Sequence, residues 1–157
     1  MRTAYIRRIT KDLIKKNNYS PPIPVDDLVF KSGLELREVS SEMDIDAKFD
    51  PQKMRITVNR LETNLFRRRF SVAHELGHFI LQHHINPWEY EDRDTGKSFI
   101  EPEADEFAGS LLLPEHLLSE QIKKGTPLKD IQKMFQVSNQ ALWVRIEIYK
   151  LTNFLRV

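Results

Sequence analysis

Five residues, His74-Glu-Leu-Gly-His78, constrain this chain more than any other stretch. They spell H-E-x-x-H, with two histidines four apart. On a helix, side chains four apart lie one above the other, so both imidazoles can point at a single metal ion. Glu75 stands about 100° round the helix from His74, close enough to meet a water at that metal without ligating it. The surrounding Phe70, Ala73, Leu76, Gly77, Ile80 and Leu81 form an apolar stripe at helical spacing, which predicts a half-buried helix. Two histidines and a carboxylate on such a helix are costly to bury unless a metal holds them. Zinc suits two imidazoles plus one further ligand and keeps a fourth position open. The metal then polarises a carbonyl and acidifies a water. Glu75 takes that water's proton and later delivers it to a leaving amine. This is the chemistry of metal-assisted peptide hydrolysis.

Two histidines do not complete a first shell, so a third ligand must come from elsewhere. His84 stands ten positions after His74, as in H-E-x-x-H-x-x-G-x-x-H. That pattern needs a glycine to turn the chain back, and the corresponding residue is Leu81. The better source is Ile100-Glu-Pro-Glu-Ala-Asp-Glu-Phe-Ala-Gly-Ser-Leu-Leu-Leu-Pro114. Pro102 suits a first helical position and Glu101 its cap, which puts Glu103 in the first turn. Glu103 is therefore the preferred third ligand, with Glu101 and His84 as the other candidates.

Arg68-Arg-Phe-Ser-Val-Ala-His-Glu-Leu-Gly-His-Phe-Ile-Leu81, followed by Glu103-Ala-Asp-Glu-Phe-Ala108 and Leu111-Leu-Leu-Pro114, resembles the ImmA/IrrE family of metallopeptidases. Ile56-Thr-Val-Asn59 is similar to the family's strand leading into its metal helix. The likeness spans about residues 20–120 by motif order, and the joint blocks are far more specific than H-E-x-x-H alone. It implies a zincin-type core and limited cleavage of helix-turn-helix repressors that guard mobile elements, prophages or stress-response genes. His74, His78 and Glu103 match the family's metal-ligand positions, and Glu75 its catalytic position.

The rest of the chain reads in order. Tyr5, Ile6, Ile9, Leu13 and Ile14 recur at helical spacing among Arg2, Arg7, Arg8, Lys11, Lys15 and Lys16, predicting a surface helix with a solvated basic face. Pro24 opens a second helix that Gly33 ends. Leu34 to Val39 alternates as a strand, a polar loop runs from Ser40 to Asp44, and Ala47–Asp50 with Met54–Asn59 reads as a hairpin. The three strands are expected to form an antiparallel sheet. The metal helix is expected from an Asn64 cap to about Gln82, with Arg67-Arg-Arg69 on a solvated, ion-pairing face. Residues 85–100 lose periodicity and should border the cleft. Towards the end, Pro127–Phe135, a turn at Gln136-Val137 and a helix from an Ser138 cap resemble a helix-turn-helix unit. That unit offers Asn139, Gln140 and Arg145 but little basic charge, and phosphate contacts dominate DNA affinity, so docking of a protein is favoured. Its helices are expected to pack through Ile131, Phe135, Leu142, Val144 and Ile148.

The 157 residues suit one core, the net charge of +1 argues for no polyanion partner, and the lack of cysteine excludes disulfides and thiolate ligands. No apolar run is long enough to span a membrane, and the N-terminus carries no secretion signal. A cytoplasmic location is expected. Together these readings predict an α+β fold: a zincin-like metallopeptidase core with a small antiparallel sheet over 1–120, and a helical, helix-turn-helix-like subdomain over 121–157 packed on it. The expected activity is zinc-dependent endoproteolysis of a partner helix-turn-helix repressor encoded nearby. The rival is a non-proteolytic interaction protein, an antirepressor or toxin–antitoxin component, that keeps Zn2+ for structure. Tyr90, His83, His84, Tyr149 and Arg145 are open candidates for stabilising an oxyanion.

Overall fold

The computed structural model describes residues 1–40, 45–60 and 64–155. Most of the loop expected from Ser40 to Asp44 lies outside them. The metal helix is α3, Leu65–Ile80 in chain order, after α1 (Thr3–Lys16), α2 (Val25–Lys31), β1 (Glu35–Val39), β2 (Ala47–Asp50) and β3 (Arg55–Asn59). Asn64 caps it as expected, accepting from the main-chain N–H groups of Phe66 and Arg67 at 3.0 and 3.2 Å. The helix stops where Gln82 turns left-handed, at φ +60°. Its buried face, Val72, Ala73, Leu76 and Gly77, lies against α4 (Ile100–Leu112). A Cβ at Gly77 would sit 3.0 Å from Phe107, so the glycine lets the two helices approach closely beneath the metal motif.

The sheet corrects the antiparallel expectation. β2 and β3 pair antiparallel as a hairpin, turned where the Asp50 carboxylate accepts from Gln52 and Lys53 N–H. β1, however, pairs parallel with β3, from Glu35 opposite Arg55 to Val39 opposite Asn59. The strand order is β1-β3-β2, and it supplies the reason. Three strands running up, down and up are all antiparallel only when neighbours in sequence are neighbours in space. Placing β3 in the middle sets two upward strands side by side. It also leaves β2 at the edge, packed on α3.

α4 is buried along nearly its whole length, with α3 on one side and α1 on another. Because it is enclosed, its carboxylates need partners, and the basic face of α1 supplies them. Arg2 reaches Glu103 and Arg7 reaches Glu106, so part of the face expected to be solvated is bound to α4. On its other side Glu106 meets Arg145 of α7 (Asn139–Ile148). Two arginines thus share one buried acid. The arginine run on α3 behaves as expected at Arg67, paired with Asp46, and Arg68, paired with Asp26 and Glu38. Arg69 instead donates to the Gln136 carbonyl at 3.2 Å, at the C-terminus of α6 (Leu128–Phe135).

The C-terminal helices join the same apolar cluster through Ile131, Phe135, Leu142 and Ile146. Ser138 caps α7, accepting from Ala141 N–H at 3.0 Å. Val144 and Ile148, expected to pack inward, are exposed at 44% and 41%, because Ile146 and Arg145 occupy the inner face of α7. A further helix, α5 (Glu115–Lys123), precedes α6, and the sequence pattern did not single it out.

Candidate metal centre

α3 presents His74 and His78 on one face, with Nε2 atoms 3.1 Å apart. The Glu101 carboxylate closes the set, 2.8 Å from His74 Nε2 and 3.0 Å from His78 Nε2. Ligand atoms about 2.0–2.1 Å from a tetrahedral zinc stand about 3.3 Å from one another. The three groups therefore already have nearly the spacing of three corners round such an ion. Among the described residues they are the group of carboxylate and imidazole side chains able to hold a metal. The Nδ1 of His74 lies 2.7 Å from Asp105, a carboxylate that can only accept, so this nitrogen carries a proton, and a metal would meet the ring at Nε2. Burial alone would lower the His74 pKa, but Asp105 and Glu101 outweigh it and raise it above the ordinary value. The same acids favour any positive charge at that ring, a proton or a metal. Burial and the neighbouring His74 push His78 down to about 4, so it is a neutral imidazole at pH 7.

Glu103, the preferred third ligand from sequence, is placed differently. Its carboxylate is 1% exposed and receives four donors: the main-chain N–H of Arg2 at 2.9 Å, Arg2 Nε at 3.1 Å, Arg2 Nη2 at 2.9 Å and His83 Nε2 at 2.9 Å. A carboxylate has about four lone-pair sites, so none is left for a metal. Burial would raise its pKa, but Arg2 and His83 overcome that and hold it at about 2. The difference from expectation begins at the start of α4. Phe99 rather than Glu101 is the capping residue, so Pro102 is the third helical residue. Proline is tolerated there because the first N–H groups of a helix have no partner within it. That start puts Glu101 within the first turn, facing α3, and rotates Glu103 towards α1.

His84, the remaining candidate, packs between Phe49 and Phe79, with ring centroids 5.3 and 6.0 Å away, and is not part of the cluster. Its neighbour His83 is the histidine that turns towards the cluster. His83 is 2% exposed and sets its Nδ1 3.0 Å from His78 Nδ1 while its Nε2 meets Glu103. The H-H pair at 83–84 was the available signal, but helical spacing could not say which ring turns inward. Of the other oxyanion candidates, Tyr149 donates to the Leu113 carbonyl at 2.7 Å and Arg145 is bound to Glu106. The Tyr90 hydroxyl donates to the Leu81 carbonyl at 3.2 Å, and its ring lies 4.8 Å from His83. Tyr90 thus packs behind the cluster, against His83, while the cavities beside His74 and Glu75 are lined by other parts of the chain.

Glu75 stays outside the cluster. Its carboxylate accepts from the Phe49 main-chain N–H on β2 at 3.0 Å. Burial raises its pKa above the ordinary value, against the opposing pull of His74 and of that N–H, so it is a stronger base than a surface carboxylate. Beside His74 and Glu75 opens a cavity of about 330 Å³. It shares Asp46, Arg67, Phe70 and Ser71 with a mostly apolar cavity of about 640 Å³ that runs on to Val137, Ala141 and Val144. The two cavities thus share a wall on α3, one beside His74 and Glu75 and the other reaching α7.

The model of a peptidase family described as the IrrE N-terminal-like domain matches residues 32–147. No curated protein matches significantly. Among solved structures, a Mycobacterium tuberculosis transcriptional regulator has a similar fold, with a TM-score of 0.74 at 15% identity. The likeness covers 90% of this chain but 46% of that one, so this chain spans about half the length of the regulator.

Proposed function

The chain belongs to the IrrE N-terminal-like domain family of metallopeptidases, and we propose that it is a zinc endopeptidase with a zincin-like core that makes limited cuts in a helix-turn-helix repressor. The observation that carries this reading is the convergence of His74 Nε2, His78 Nε2 and the Glu101 carboxylate, with Glu75 beside them and unligated. A purely structural site has no use for a base held next to the metal. His74, His78 and Glu101 would hold the ion. Bound zinc supplies a Lewis acid that polarises the scissile carbonyl and acidifies the attacking water.

The remaining work falls to side chains of this protein. Glu75, fixed by the Phe49 N–H, takes the proton from the attacking water and returns it to the departing amide nitrogen. Its raised proton affinity suits both transfers. The cavity beside His74 and Glu75, with the apolar one lined by Phe70 and Val144 next to it, receives a segment of the substrate protein and holds it across the centre. Direct DNA reading by the tail finds little support. The only basic residue of α7, Arg145, is buried on Glu106, so that helix has no free cation for phosphates. A repressor substrate places the enzyme in the cytoplasm, and among the described residues no helix is long and apolar enough to cross a membrane.

The test is co-expression with a candidate substrate, a helix-turn-helix repressor sought among the genes beside this one. Wild type should shorten that protein on a gel while Glu75→Gln leaves it full length. Derepression by Glu75→Gln with an intact repressor would end the peptidase reading in favour of a binding-only antirepressor.

A further inference from the structure

Behind the metal-facing side of His78 runs a chain of polar contacts with no ligand role of its own. His78 Nδ1 lies 3.0 Å from His83 Nδ1, His83 Nε2 lies 2.9 Å from Glu103 Oε1, and Glu103 is gripped by Arg2 through its guanidinium and its main-chain N–H. The links come from three parts of the fold: the metal helix and the turn after it, the buried helix α4, and the entry to α1. His83 and Glu103 are 2% and 1% exposed, so neither can exchange its partner for water.

The protons along this chain follow from chemistry. An ionised carboxylate held by a guanidinium only accepts, so His83 must donate to Glu103 from Nε2. A neutral imidazole with its proton on Nε2 has a lone pair on Nδ1. His78 must then donate to His83 from its own Nδ1. That leaves the lone pair of His78 on Nε2, the atom that faces His74 and Glu101. A metal at Nε2 completes this order, since without one that lone pair would face the Glu101 carboxylate. His74 reaches the same state by a shorter route, through Asp105 alone.

We propose that His83, Glu103 and Arg2 act as positioning residues that fix the ring orientation and tautomer of His78, so that its Nε2 is always presented to the metal. The inference rests on the metal reading of His74, His78 and Glu101, and it assigns Glu103 the role of anchor rather than ligand. It also makes Arg2, the capping residue before α1, part of the metal centre's support. His83 does for His78 what a carboxylate does for His74, with Glu103 standing one residue further back.

The test uses the purified full chain and zinc alone, with affinity measured by competition against a chromogenic chelator. Cobalt substitution gives a second readout, because its visible bands report the ligand geometry. Removing an outer partner of a ligating histidine typically weakens metal binding 10–100-fold. His83→Phe, which keeps an aromatic ring beside Tyr90 but loses both nitrogens, should fall in that range and shift the cobalt bands. His83→Gln should recover most of the affinity, since its amide can accept from His78 and donate to Glu103 with nearly the same span. Glu103→Gln should weaken binding in the same direction and serves if His83→Phe does not fold. His84→Phe, next in sequence but outside the chain of contacts, should bind as wild type. Wild-type affinity and an unchanged cobalt spectrum in folded His83→Phe would overturn the relay while leaving the metal site intact. An equal loss in His84→Phe would trace the effect to general loosening and overturn it too. A wild-type chain that holds no zinc would overturn the metal reading and the relay together.

Discussion

The Phe49 main-chain N–H donates to the Glu75 carboxylate across 3.0 Å, so the edge strand of the sheet holds the acid of the metal helix that does not join the metal cluster. Strand β2 lies at the sheet edge, and at Phe49 its N–H turns away from β3 to the helix. A general base fixed in this way needs no reorganisation when the water loses its proton.

Glu75→Gln should therefore keep zinc and lose cleavage. The amide has nearly the same shape and its oxygen still accepts from Phe49. It accepts no proton at neutral pH, and general-base catalysis contributes roughly 10²–10⁴ in rate. Metal analysis and a gel assay on the same preparation check the two halves separately.

Glu101→Ala and Glu103→Ala should differ in kind. Glu101 touches the imidazoles of both His74 and His78, so its removal should leave the dialysed protein nearly free of zinc. Glu103 lies one step further out, so its removal should lower affinity without emptying the site when zinc is in excess. Retention of full zinc by Glu101→Ala would return Glu103 to the ligand set.

Gly109→Ala should destabilise the fold although alanine is the better helix former. A Cβ at Gly109 would land on the guanidinium of Arg145, which lies against α4 to reach Glu106. Breaking a buried ion pair costs about 3–5 kcal/mol, and the low end applies because Arg7 still faces Glu106. The gain in helix propensity returns about 1 kcal/mol. Urea unfolding should show a net loss of about 2 kcal/mol by these same terms; an unchanged midpoint and slope would contradict the close approach.

Alkaline pH should weaken the protein through Tyr149. Burial pushes its phenol from 10.0 up to about 12 while its hydroxyl donates to the Leu113 carbonyl. Between those values the unfolded chain gives up this proton and the folded chain keeps it. Stability is therefore full below about pH 10 and falls as pH rises towards 12, by at most ~1.4 kcal/mol per pH unit from this group. Melting curves from pH 9 to 11.5 should show a shallower decline in Tyr149→Phe. Parallel curves for the two proteins would assign the alkaline loss to other groups.

Much of this protein is settled by neighbours in sequence. His74 and His78 share a face because helical periodicity puts them there, Asn64 and Ser138 cap their helices through contacts two or three residues away, and the β2–β3 hairpin is closed by Asp50 within its own turn. These features need no distant part of the chain, so the sequence alone determines them. What it leaves undetermined is every choice made by a partner far away. Glu101 and Glu103 stand about 200° apart round α4, so only one can face the histidines. Which one depends on where α4 begins and on Arg2, some hundred residues earlier in the chain. The parallel pairing of β1 depends on β3 taking the central place. The exposure of Val144 depends on Arg145 finding Glu106 across the core. Local periodicity fixes which residues share a face. Only packing, which must give every buried charge a partner, decides what that face meets.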